Sequence, residues 1–311
     1  VKVAVVGAGF AGLALCYYLL EKGVSVDLID CEGVGAGASG AAVGLLHPYA
    51  GEQVRRSYQA TEALEEAKKL LSFASVNASV ADFSGILRRA DSEQSKMLLQ
   101  HQKQYGDVEK LEDGLFWIKS GITVHSRRYL DGLFSSLQAK GLQWKLQKIK
   151  HIDNLLEYDL FFLAIGAGVF SLPGLEVFSL QGIKGQAITC KWPDYLTPLS
   201  MSLMGKGYVV PMEGGLVQVG STYERGLKDN RVDMEKALAE LTPKMRLLLP
   251  LWDPIEAISC RAGVRVSRRE HYFPLLTQVG SQGWMITALG SRGLLYHAYG
   301  AKKLVEMAFG K

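Results

Sequence analysis

Cysteine is scarce in this 311-residue chain: Cys16, Cys31, Cys190 and Cys260 stand apart, with no CxxC pair. Such scatter argues against zinc, iron–sulfur and disulfide frameworks. Histidine is almost as sparse, six in all, and no group of them has metal-ligand spacing. No stretch reaches the roughly eighteen consecutive apolar residues that a membrane helix needs. The apolar start runs directly into a glycine motif where a secretory leader would carry a small-residue cleavage site. No membrane partner is expected, and the cytoplasm is the expected location, although the chain opens on Val1 and its native start stays open. A strong charge of one sign is also missing, since 35 basic residues against 31 acidic ones leave +4. That mild excess is compatible with an anionic cofactor or an acidic substrate and requires neither. The doublets Arg55-Arg56, Lys68-Lys69, Arg88-Arg89 and Arg268-Arg269 read first as solvated faces, with a phosphate backbone as the other option. Repeats, low-complexity tracts and a Ser/His/Asp or Cys/His arrangement for nucleophilic catalysis are likewise absent.

What is present is an ordinary globular composition, 48% hydrophobic and 21% charged, long enough for one large or two intergrown domains. Residues 2–6 form a short apolar β-branched run. Gly7-Ala8-Gly9-Phe10-Ala11-Gly12 follows at once, then a helical stretch closed by Gly23, then a second strand over 24–29 with Asp30 at its carboxyl end and Cys31 beside it. A GxGxxG hexapeptide carries weight only in this strand–turn–helix–strand context. There the first glycine makes the tight turn, the second lets a pyrophosphate approach the backbone, and the third lets helix and strand pack. Helix N-terminal amides face the anion. Asp30 stands where a carboxylate accepts ribose hydroxyls and repels a 2′-phosphate, which leaves FAD or NAD(H).

Downstream, 33–44 is a Gly/Ala/Ser-rich segment suited to close backbone approach. Helices are expected over 57–73 and 128–140, the latter ended by Gly141. Two more apolar strands run into glycine turns, at Ala164-Ile165-Gly166-Ala167-Gly168 and at Gly290-Ser291-Arg292-Gly293-Leu294, where a last helix opens. The amino end of that helix suits charge developing on a flavin pyrimidine ring. These turns, with a fingerprint at the very start, favour flavin over nicotinamide. Between 78 and 122 and between 180 and 262 the pattern changes to short alternating runs, read as antiparallel strands of a second layer.

Taken together these motifs resemble the D-amino-acid oxidase-like family of FAD-dependent oxidoreductases, and within it glycine oxidase and the oxidase domain of the tRNA methylaminomethyl-uridine enzyme. The segments carrying the resemblance are 37–46, 128–141, 160–168, 207–222, 262–265 with Pro274, and 288–294. It implies an α/β fold with a Rossmann-like FAD-binding domain (1–77, 123–179 and 263–311) and an intergrown antiparallel-sheet substrate domain (78–122 and 180–262). It implies noncovalent FAD held by Gly7, Gly9, Phe10, Ala11, Gly12, Asp30, Cys31, Ala38, Ser39, Gly40, Gly44, Leu45, Ala164, Gly166, Gly168, Gly290, Ser291, Arg292, Gly293 and Leu294. Arg265 corresponds to the partner of a substrate carboxylate, Arg292 to a holder of substrate or flavin, Tyr208 to a pocket wall, and His47 to a residue beside the flavin. The chain departs from the pattern in its compressed middle and in Val266-Ser267, where a proline is usual. The implied reaction is oxidation of an amine, an amino acid or N-substituted glycine, by hydride transfer from its α-carbon to flavin N5. The alternatives are a stand-alone oxidase acting on a tRNA wobble-uridine carboxymethylaminomethyl group, and a flavin-binding interaction protein without catalysis.

Overall fold

The β-branched run at the amino end becomes β1 (Lys2–Val6), an inner strand of a six-stranded sheet. The computed structural model describes all residues except 77, 227–228, 253–255, 270–272 and 311. Strand β1 lies between β2 (Ser25–Asp30) and β10 (Leu160–Leu163), all three parallel, with Val5 level with Leu28 and Phe162. Outside them run β9 (Gln143–Leu146) and β18 (Gly283–Thr287), also parallel, and β17 (Leu275–Val279) closes the sheet antiparallel to β18.

Because side chains alternate along a strand, β1 feeds two cores. Val3 and Val5 join Leu13, Leu64, Leu133 and Leu304 on one face, whereas Ala4 and Val6 join Phe161, Leu163, Leu172 and Met285 on the other. The first core is roofed by α1 (Phe10–Glu21), α3 (Ala60–Ala74), α5 (Ser126–Ala139) and α7 (Gly293–Ala308). Helix α1 is apolar on every side and buries ten residues, as an element enclosed by other helices must. Glycines at positive φ end the chain segments that the sequence assigned to them, Gly23 after α1 and Gly141 after α5.

The second sheet is built on two long antiparallel strands, β11 (Gln181–Lys191) and β16 (Ala257–Ser267). Beyond β11 follow β14 (Leu216–Gly220), β13 (Tyr208–Pro211), β12 (Ser202–Met204), β5 (Ile86–Arg89), β7 (Leu115–Ile118) and β6 (Val108–Glu112), while β15 (Glu224–Arg225) pairs with the start of β11. Strands β3 (Leu45–Leu46), β4 (Ala81–Asp82) and β8 (Ile122–Val124) form a small third sheet. The mixed α/β architecture matches the expectation. The boundary drawn at 262/263 falls inside the continuous strand β16.

Two helices lie where only strands were expected. Helix α4 (Ser92–Tyr105) is capped by Asp91, whose Oδ1 accepts the Gln94 amide at 2.9 Å. It buries only Leu98 and His101, so its apolar period is faint. Helix α6 (Met234–Leu248) is capped by Asp233 and carries Pro243 inside it, which masks its pattern. It packs Ala237, Leu241, Met245 and Leu248 on β11, β13 and β14. Among the described residues no helix is long and apolar enough to cross a membrane.

Candidate functional site

The opening glycines are fixed by contact. Gly7 has φ +106°, and a Cβ there would sit 2.3 Å from the Ala164 carbonyl oxygen. At Gly12 it would sit 1.7 Å from the Gly7 oxygen, so only bare backbone lets α1 start against β1. Ala164 thereby joins Gly7 and Gly12 at the carboxyl ends of β1 and β10. A Cβ on Gly9 would meet Ser39 Oγ at 2.8 Å, and that hydroxyl accepts the Phe10 amide at 3.1 Å. The short helix α2 (Ala38–Ala41) thus brings Ser39 to the start of α1. On its other side Ala38 Cα would lie 2.7 Å from a Cβ on Gly263, so β16 crosses directly over α2. Around Gly37, Gly166 and Gly293 a Cβ would meet nothing within 4 Å.

Asp30 is held from three directions: Oδ2 accepts the Ala8 amide at 2.8 Å, and Oδ1 accepts Glu32 and Gly33 amides at 2.9 and 3.0 Å. Two amides of the opening turn, those of Ala8 and Phe10, are therefore engaged by protein side chains. Cys31 is exposed beside it, and its thiol is raised by partial burial and by the Asp30 and Glu32 charges. Phe10 and Leu294 place their side chains in the main core, so only their backbone can serve a ligand. Leu45 pairs with Thr123, and Gly44, at φ +94°, is pressed against the Val124 carbonyl. The residues fit a dinucleotide: a bare-backbone turn, a tethered acid on β2, and a hydroxyl at the head of α1.

A second cluster forms where β16 meets the last glycine turn. Arg265 donates through Nη2 to the Thr222 carbonyl at 3.1 Å and through Nη1 to Ser291 Oγ at 3.4 Å, with its guanidinium 5.5 Å from the Tyr223 ring centre. The turn is strained: Ala288 and Gly290 have φ of +59° and +53°, and a non-glycine residue rarely adopts that region. Tyr208 lies against Gly220 across the β13–β14 ladder. Its phenol is raised by burial, partly offset by Ser221 and the Arg265 charge. Arg292 donates to Ser57 Oγ at 3.3 Å.

His47 is buried, and its Nδ1 accepts the Tyr49 amide at 3.3 Å. Burial, then the Arg88 and Arg292 cations, lower it to about 3. Its neutral ring therefore carries hydrogen on Nε2. Arg88 corrects the sequence reading. It is not on a solvated face but 1% exposed, donating to the carbonyls of Tyr49 and Gly51 at 3.1 Å each, and burial lowers it to about 10. Arg56 is likewise engaged, pairing with Asp107 at 3.3 Å.

The structure thus joins Gly7, Gly12 and Ala164, then Gly9, Ser39 and Asp30 around Ala8, then Arg265 with Ser291, and His47 with Arg292. Gly40 packs on Gly35, and Gly168 on Ile165. Sequence reasoning assigned no role to Thr222, Tyr223, Ser57 or Arg88; of these only Thr222 lies within the 207–222 segment that carried the resemblance. No group of His, Cys, Asp and Glu among the described residues could hold a metal.

A nucleotide cradle on a parallel sheet, with a basic cluster on an antiparallel one above it, defines an FAD-dependent oxidoreductase. The chain belongs to the DAO family, described as FAD dependent oxidoreductase, whose model matches residues 2–307. It is similar to the tRNA 5-methylaminomethyl-2-thiouridine biosynthesis bifunctional protein MnmC of Leptospira interrogans, 26% identical over 257 residues, covering 71% of this chain and 40% of that protein. The corresponding protein of Methylobacillus flagellatus is 23% identical, over 89% of this chain and 48% of its own length. The chain therefore spans less than half of these curated relatives. Among solved structures, glycine oxidase from Geobacillus kaustophilus superposes with a TM-score of 0.84 at 18% identity, covering 100% of this chain and 95% of that one. Iminodiacetate oxidase from Chelativorans gives 0.80 at 18% identity, covering 99% and 95%.

Proposed function

We propose that this chain oxidises an amine bearing a carboxylate, an amino acid or an N-substituted glycine, to the imine. The observation that carries the reading is Arg265, braced between Thr222 and Ser291 beside the last glycine turn. A guanidinium so held presents its planar edge to a carboxylate through two charge-assisted bonds. FAD, held noncovalently, would supply the acceptor for the hydride that leaves the substrate α-carbon. The chain's own work is binding and orientation. Arg265 anchors the carboxylate, and Tyr208 lines the wall beside it. Arg292 adds positive charge near the amino end of α7, where anionic groups are favoured. His47, neutral and buried, offers an Nε2–H donor without adding a third cation. Gly7, Gly9, Gly12, Ser39 and Asp30 hold the nucleotide, and the glycines after β10 leave room for it. The test is anaerobic mixing with glycine, sarcosine, iminodiacetate and larger amino acids. Loss of the oxidised-flavin absorbance band with a carboxylated amine is expected, and no reduction by any of them would refute the reading.

A second reading is favoured by the similarity to MnmC, a protein of tRNA 5-methylaminomethyl-2-thiouridine biosynthesis. Here the amine is the carboxymethylaminomethyl group of a wobble uridine, itself an N-substituted glycine with the same anchor at Arg265. Binding of the tRNA that falls steeply with salt supports this reading, since phosphate contacts release counterions. Salt-independent turnover opposes it.

A further inference from the structure

A cavity of about 530 Å³ is lined by Phe178, Ser179, Leu180, Gln181, Arg268 and Arg269, none of them a residue of the nucleotide cradle. That volume falls in the range of small-ligand pockets. Two of its lining residues carry buried donors with no hydrogen-bond partner, Gln181 Nε2 and Arg268 Nε. A buried donor left unsatisfied is costly, more so when charged, so two around one cavity call for an acceptor. The arm of Arg268 is fixed from the other end, where Nη2 donates to the Phe273 carbonyl at 3.2 Å. Arg269 adds a second cation, and none of the described lining residues is acidic. Phe178 and Leu180 supply an apolar wall.

We propose that this cavity binds a phosphate group, with Arg268, Arg269 and Gln181 as its donors. Its place in the fold links it to the reaction. Gln181 pairs with Ser267 and Ile183 with Arg265 on the same β11–β16 ladder, so the cavity begins two residues, about 7 Å along the strands, from the carboxylate anchor. The site deepens the tRNA reading and rests on it for the source of the phosphate, a phosphodiester of the nucleic acid carrying the oxidised group. A free phosphate or mononucleotide is the other source of the same chemistry.

The experiment uses the FAD-loaded protein and measures binding apart from turnover. Inorganic phosphate, uridine monophosphate and a short anticodon stem-loop RNA are titrated by calorimetry, against wild type and the variants Arg268→Gln, Arg269→Gln and Gln181→Leu. Flavin content and melting temperature report folding, and the exposed Arg269→Gln serves if Arg268→Gln fails to fold. Expected is RNA binding weakened at least about 10-fold in the variants, with a salt slope shallower by about 0.7 per lost phosphate contact, and unchanged turnover of a free carboxylated amine. Weakened binding of phosphate or uridine monophosphate alone supports the pocket and assigns it a small phosphate. If none of the three probes binds wild type, or all bind the variants equally well, the proposal is overturned. Failure of the amine reading shows separately, as absent flavin reduction with these binding results intact.

Discussion

At Arg265 two hydrogen bonds and an aromatic neighbour hold one guanidinium in place, and its replacement has a defined signature. Charge-assisted bonds are worth about 1.5–3 kcal/mol, so Arg265→Ala is expected to raise KM for a carboxylated amine by about 10- to 100-fold while flavin content is unchanged. Steady-state kinetics on an amine with and without its carboxylate check this; the penalty disappears for the second. The buried histidines set a pH response. His297 donates from Nδ1 to the Leu294 carbonyl at 2.9 Å and accepts from Tyr129 Oη at 2.7 Å. Burial, opposed by its backbone bonds, lowers it to about 4, and His47 lies at about 3. An unfolded histidine takes a proton near pH 6.5. As pH falls from about 6.5 toward 4 the unfolded chain gains protons that the folded one refuses, and stability is lost. Each histidine contributes about 1.4 kcal/mol per pH unit in that window, so urea unfolding of His297→Gln between pH 7 and 5 is expected to show a shallower decline. The three opening glycines and Asp30 were legible as residues because their spacing is itself the motif. Arg88 and Tyr223 were not, because their environments come from strands paired over long sequence distances.

At the scale of elements, α2 is a wedge between the head of α1 and strand β16. Ser39 bonds the Phe10 amide on one side, and Gly263 meets Ala38 without a Cβ on the other. Gly263→Val drives that ribbon off the wedge, with a lower melting temperature and less bound flavin as the expected readouts. Helix α6 carries a removable fault. Pro243 has no amide to offer the Ala239 carbonyl, and an interior proline costs roughly 3 kcal/mol, partly recovered through a stiffer unfolded chain. Pro243→Ala is expected to stabilise the protein by about 1–2 kcal/mol in urea titration with flavin content unchanged. Strongly periodic or wholly apolar elements such as α1, α3, β1 and β10 were readable in the sequence. Helices α4 and α6 were hidden for separate physical reasons, a narrow buried stripe in one and a proline in the other. The starts of α3 and α5 moved by two or three residues, as caps at Gln59 and His125 carry no side-chain bond to announce them.

For the whole molecule, the two large sheets are joined by chain that returns repeatedly between them, so strand β16 carries both Gly263, against α2 at the opening turn, and Arg265, at the last glycine turn. Purified protein is expected to be yellow and to keep its flavin through gel filtration. Gly12→Val, which forces a side chain into the Gly7 carbonyl, is expected to yield colourless, poorly folded protein by absorbance and circular dichroism. Architecture was legible because glycine turns after apolar strands recur at residues 7, 166 and 290, whereas the register that sets Ile183 beside Arg265 is a property of the assembled sheet. The tethering of Asp30 to the amides of Ala8, Glu32 and Gly33 bears on how the protein matures. If Asp30 receives the adenosine half as proposed, a carboxylate already moored at three points has no search to make when it arrives. Reloading of flavin-stripped protein is therefore expected to follow a single second-order phase, with no slow rearrangement trailing behind it.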